Sequence, residues 1–225
     1  MAFHLTVDPA LEVLAIAAIE FTRVAVTESS AELRTWCNRI AAEVVARTGS
    51  DEDETLRQAI RAMLRYGKFK ASGRSKPSQE YLLRCVTETG QLPTINAPVD
   101  ILNAVSLKIG LPISLLSLAK CSRELHIRRG QSGENYVFNH AGQTLDVADL
   151  VVTCDALTTP SRPIGSPIKD SMAGKIEAND SNVITIVYAP KAAQGHHAAN
   201  FAIAELELGF ARYCGALVGQ KQNAT

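Results

Sequence analysis

The chain has 225 residues, enough to bury one sizeable core. Lys plus Arg and Asp plus Glu both total 23, so no overall field draws the molecule to nucleic acid or to a membrane, and any electrostatic binding must be local. The five cysteines are scattered, with no Cys-x-x-Cys pair and no histidine at zinc-ligand spacing, a pattern of reduced thiols in a cytoplasmic protein without a metal site or cofactor.

The first apolar run, Leu11 to Phe21, suits either a helix or a buried strand by periodicity, and its β-branched and aromatic residues favour the strand. It holds two acids and falls far short of the ~20 residues needed to cross a bilayer, so no membrane partner is expected. No basic leader precedes it, and the chain reads as soluble and unprocessed. Ser29 and Ser30 then precede a segment in which Leu33, Trp36, Ile40, Val44 and Val45 recur at helical spacing, with Gly49 as the stop. The acidic DEDE at 51–54 predicts the start of a second helix running to about Arg65, where the helix dipole favours negative charge.

The charge then changes sign. Arg57, Arg61, Arg65, Lys68, Lys70, Arg74, Lys76 and Arg84 face a single acid, Glu80. The three arginines at i, i+4 and i+8 predict one basic helix face. Lys68, Lys70, Arg74 and Lys76 lie in a Gly/Ser/Pro-containing loop with Tyr66 and Phe69 interleaved. Such a cluster can bind a phosphate backbone through counterion release, or can simply be a solvated helix face and loop.

After Pro77 a short helix is predicted up to Gly90. The next helix starts with Pro98 at its first turn, capped by Asn96 or Ala97, and stops at Gly110. Asn96, Asp100 and Asn103 fall on one stripe of this otherwise apolar helix. Buried polar groups need partners, so the stripe either braces the fold or lines a pocket. Beyond it, ELHIRR, NYVFNH and DLVVTCD read as short strands punctuated by Gly and Asn turns. A loop with three prolines follows, then NVITIVYAP at 182–190 as the clearest strand, and an amphipathic helix from His196 onward. The order predicts a single α+β domain with a mixed sheet and flanking helices. His196 and His197 are read as solvent-facing, His140 as a turn residue, and His126 has no assigned role. Asp155 suits either a turn or a pocket.

The order of short elements resembles the B3/B4 domain of the phenylalanyl-tRNA synthetase β subunit, in a free-standing form. The matching elements are Ile95-Asn96, Val99-Asp100 with Asn103, Gly110-Leu111-Pro112, Arg128-Arg129, Gly133-Glu134 and Asp155. The resemblance covers about residues 60–190, with an N-terminal strand and helices and a C-terminal helix added within one 1–225 domain. It implies an editing hydrolase that deacylates mischarged tRNA in trans, without metal or covalent nucleophile, by placing a water and stabilising an oxyanion. On this resemblance Asn96, Asp100 and Ser114 are the catalytic candidates, Asn103 and Asp155 bind substrate, and Lys68, Lys70, Arg74 and Lys76 take tRNA phosphates. The partner is the tRNA acceptor end or aminoacyl-tRNA; the alternative is a module that kept the fold and binds an aminoacyl ligand without turnover. The family carries a histidine where this chain has Ser114, and its Gly-Gly-Glu segment is replaced by TTPSRPIGSPIKDSMAG.

Overall fold

The computed structural model describes residues 2–192 and 195–224; the side chain of Arg74 is outside the described set. Its strands are β1 (His4–Val7), β2 (Leu14–Thr22), β3 (Ile113–Ser117), β4 (Glu124–Arg129), β5 (Asn135–Val137), β6 (Thr144–Asp146), β7 (Val151–Asp155), β8 (Arg162–Gly165), β9 (Val183–Pro190) and β10 (Leu217–Ala224). The helices are α1 (Ala31–Arg47), α2 (Asp51–Leu64), α3 (Ser78–Thr89), α4 (Ala97–Ile109) and α5 (Gly195–Cys214).

Two four-stranded sheets form the centre, one in the order β10-β2-β9-β3 and the other β1-β4-β7-β8, with β5 and β6 as a separate hairpin. β2 and β9 are antiparallel, with Leu14 opposite Pro190 and Phe21 opposite Val183. Almost every residue of both is buried, the pattern of strands covered on two faces. Helix α5 packs on β2 and β9, α4 packs on α5, and α1 and α3 pack on α4. The second sheet lies against the first, with β3 beside β8 and β1 beside β10. At the β1 seam, Gln222 of β10 accepts from the amide of Leu5 (3.0 Å) and donates to its carbonyl (2.5 Å).

The helices begin and end where local chemistry says they should. Ser30, Ser50 and Asn96 each accept a backbone N–H of the first turn, at Leu33, Asp53 and Val99. Gly110 ends α4 at φ 77, a left-handed conformation that suits glycine. Packing is close between helices: a Cβ on Gly209 of α5 would lie 2.6 Å from Cγ2 of Ile101 on α4. Phe210 stacks on Phe21 with ring centroids 4.2 Å apart, joining α5 to β2. The five cysteines are free thiols, and burial pushes Cys37, Cys121, Cys154 and Cys214 up to about 12. Among the described residues, no helix is long and apolar enough to cross a membrane, and no group of three His, Cys, Asp or Glu could hold a metal ion.

Candidate functional site

The turn Gly110-Leu111-Pro112 delivers the chain directly into β3, which pairs antiparallel with β9 so that Ser114 lies opposite Ile186. Ser114 is therefore neither a surface nor a cap residue; its exposure is 0 %. Its hydroxyl is 2.6 Å from Oδ1 of Asp170 and 3.1 Å from the Tyr188 hydroxyl, which is itself 2.7 Å from Oγ1 of Thr153. Asp170, as a carboxylate, only accepts, so Ser114 donates to it and must accept from Tyr188. Tyr188 in turn accepts from Thr153. The result is a directed chain of hydroxyls from β7 through β9 and β3, ending on one carboxylate, in a setting where successive bonds polarise one another.

Asp170 comes from the segment after β8. Its Oδ2 accepts from the amide of Leu115 (3.0 Å), and the amide of Ser166 is 3.4 Å from Oδ1. The segment is pinned from outside by Tyr136, whose hydroxyl donates to the carbonyl of Lys169 (2.5 Å) and lies 2.8 Å from Ser166 Oγ. A Cβ on Gly165 would sit 2.9 Å from Oδ1 of Asp170, so the backbone passes very close to the acid. Asp170 is partly buried, and desolvation raises its pKa to about 6 despite the opposing pull of Ser114, Leu115 and the nearby Lys175. Lys175 donates to the carbonyl of Phe138 (2.5 Å), and the ammonium of Lys169 lies 4.0 Å from the Phe138 ring centroid. Burial lowers the pKa of Lys175 and raises those of Tyr136 and Tyr188.

The other sequence-predicted residues lie elsewhere. Asn96 caps α4 through Val99, and Asp100 accepts from Ser29 Oγ (2.5 Å) and the Ile95 amide (2.8 Å), tying the approach to α1 to that of α4. Burial raises the pKa of Asp100, with those two bonds acting in the opposite direction. Asn103 is partly exposed on α4. None of the hydrogen bonds of Ser114 reaches these three residues. Asp155 closes a turn, accepting from the Ser122 hydroxyl and amide and from the Leu157 amide, with Arg162 at 3.8 Å.

The basic helix face is changed by its partners. Arg57 is bidentate to Glu54, and Arg61 is bidentate to Glu80, so both charges are met within the protein. Lys68, Lys70 and Lys76 are exposed, and the predicted role of the Arg74 side chain falls outside the described residues. Arg128 and Glu134 form a bidentate pair at 2.7 and 2.8 Å, which gives the Arg-Arg and Gly-Glu elements a structural meaning. Arg129 donates to the carbonyls of Met63 and Leu64 at the end of α2. His126 has a partner in Thr6, 2.7 Å from its Nδ1.

Sequence reasoning passed over Asp170, Tyr136, Thr153, Ser166 and Tyr188. The available signals were an acid inside a proline-rich connector and a tyrosine ending an aliphatic strand.

Two facing sheets under a helical cover, with a carboxylate and a chain of hydroxyls between them, define an α+β domain with a polar cluster at its centre. A sequence model of the B3/4 domain matches residues 62–199, more than half of the chain, and the chain belongs to that family. The chain is 32% identical over 119 residues to the phenylalanine–tRNA ligase beta subunit of Corynebacterium glutamicum; the match covers 52% of this chain and 14% of that subunit. A solved N-terminal fragment of the phenylalanyl-tRNA synthetase β-subunit from Pyrococcus horikoshii aligns with 96% of this chain and 51% of its own, at 11% identity and a TM-score of 0.44.

Proposed function

We propose that this B3/4 domain hydrolyses the aminoacyl ester of mischarged tRNA in trans. The observation that carries the reading is the Asp170–Ser114 pair, because the family resemblance places a histidine at Ser114, and the serine instead positions the carboxylate of a partly buried aspartate, whose pKa is raised to about 6. At neutral pH that carboxylate is mostly ionised and close enough in pKa to water chemistry to act as a general base. Asp170 takes a proton from a water whose oxygen attacks the ester carbonyl carbon. The tetrahedral intermediate collapses, the bond to the ribose oxygen breaks, and that oxygen takes up a proton to release amino acid and tRNA. Exposed Lys68, Lys70 and Lys76, and Arg74 from the same loop, supply the phosphate contacts. Asn103 is carried forward as a substrate contact, whereas Asn96, Asp100 and Asp155 brace the fold.

A second reading, a module that holds the aminoacyl end without turnover, draws support from one observation. Ser114 has no exposed surface and its hydroxyl is fully engaged.

The deciding experiment is deacylation of a panel of correctly and incorrectly charged tRNAs by the purified protein, beside Asp170→Asn, Ser114→Ala and Asn103→Ala. Hydrolysis of one mischarged class, lost at least a hundredfold in Asp170→Asn, supports the hydrolase. Salt-sensitive tRNA binding with no turnover of any charged tRNA leaves the binding module.

A further inference from the structure

A cavity of about 220 Å³ opens between α1, α2, α3 and the C-terminal end of α4. Its walls are largely apolar, with Val44, Leu56, Leu83 and Leu107 among them. Gln79, on the first turn of α3, completes the wall; it is 6 % exposed, and neither its amide nitrogen nor its amide oxygen has a hydrogen-bond partner. Leaving both ends of a buried carboxamide unmade is unfavourable, and native proteins rarely do so without a reason.

The charged groups around the cavity point to the kind of molecule it suits. Arg57 is held by Glu54, Glu80 by Arg61, and Arg47 stands 3.9 Å from Asp53 while donating to the carbonyl of Lys108. Each rim charge has its counter-charge, so an ion entering the cavity would lose its hydration without gaining a free partner. The unmet need is a donor beside an acceptor, the complement of the Gln79 amide.

We propose that this cavity binds a small uncharged molecule with an apolar body and an adjacent donor and acceptor, of the primary carboxamide or amino-heterocycle class, recognised by Gln79. The site is separate from the Asp170 centre: none of the residues that line it takes part in the hydrogen bonds of Asp170, Ser114, Tyr188 and Thr153.

The test is a nuclear magnetic resonance titration of the full chain with benzamide, benzoate and toluene. Benzamide is expected to give saturable shifts at Leu56, Leu83 and the Gln79 side-chain amide, with toluene and benzoate each about tenfold weaker. In Gln79→Leu, benzamide affinity falls to that of toluene. Leu83→Trp, which fills the cavity from another wall, removes binding of all three and serves if the first variant does not fold. Benzamide binding no tighter than toluene, shifts that survive Leu83→Trp, or no saturable shift at millimolar benzamide each overturn the proposal.

Discussion

Tyr188 and Thr153 stand on different sheets, and their hydroxyl oxygens lie 2.7 Å apart with both residues fully buried. This contact is a buried polar bond between the two sheets, and it leads through Ser114 to Asp170. Replacing Tyr188 with Phe keeps the ring and leaves Thr153 without its acceptor and Ser114 without a donor. The expected cost is about 1–3 kcal/mol, read from urea or guanidinium unfolding with the denaturant slope unchanged.

The pH dependence of stability has a definite sign at Asp170. Its pKa is raised from 3.8 to about 6 in the folded protein, so the folded state binds a proton more readily than the unfolded chain. Its contribution is fully present below pH 4 and is lost as pH rises through 6, on the order of 2–3 kcal/mol. Comparing unfolding free energies of wild type and Asp170→Asn at pH 4, 5, 6 and 7 isolates it. The difference between the two proteins should change across that window and stay flat above pH 7; no change sinks the assignment.

RNA affinity should separate the exposed lysines from the paired arginines. Combining Lys68→Ala, Lys70→Ala and Lys76→Ala is expected to reduce the slope of log affinity against log salt by about 2–3. Arg57→Ala should leave that slope nearly unchanged, because the charge is already met by Glu54. Filter binding of uncharged tRNA over a range of salt concentrations measures both, and equal losses would mean that the ion pairs open on binding.

Arg128 and Glu134 are six residues apart and share two short hydrogen bonds, with both side chains largely shielded. A double-mutant cycle with Arg128→Met and Glu134→Gln should give a coupling of about 1.5–3 kcal/mol. A coupling below about 0.5 kcal/mol would place the pair with ordinary surface ion pairs.

Gly209→Ala tests how tightly α5 meets α4. The added methyl would meet Cγ2 of Ile101 at 2.6 Å, and Ile101 itself is fully buried. The better helix propensity of alanine is outweighed by overpacking, for a net loss of about 1–2 kcal/mol. Ile101→Leu, which removes the Cγ2 branch, should recover part of the loss in the same background.

Most of the helices were legible from a repeat with punctuation: Ser29 and Ser30 before α1, the acidic run 51–54 at the start of α2, Asn96 and Pro98 at α4, and Gly90 and Gly110 at two ends. The buried strands β2 and β9 could be read from their apolar runs. The strand β3 could not, since Ile113–Ser117 is five residues without alternation directly after a helix, and burial on both faces removes the polar half of the pattern. The polar β10 had no expectation attached to it, because an edge strand needs no apolar face. The Ser114 position came from the family resemblance, whereas its environment did not. Asp170 is 56 residues away, and only the pairing of β3 with β9 and the fold of the loop after β8 bring the two together. The Asn96 and Asp100 stripe had two open readings, and hydrogen bonding to Val99, Ser29 and Ile95 favours bracing.

The two bonds between Gln222 and Leu5 also bear on self-association. Successive amides of β1 point alternately toward β4 and away from it: those of His4 and Asp8 bond the β4 side, which leaves Leu5 facing outward. An outward-facing amide and carbonyl on a sheet margin invite another polypeptide to add itself there. One glutamine side chain imitates the backbone such an intruder would bring, and so shields that stretch of the margin from intermolecular strand addition.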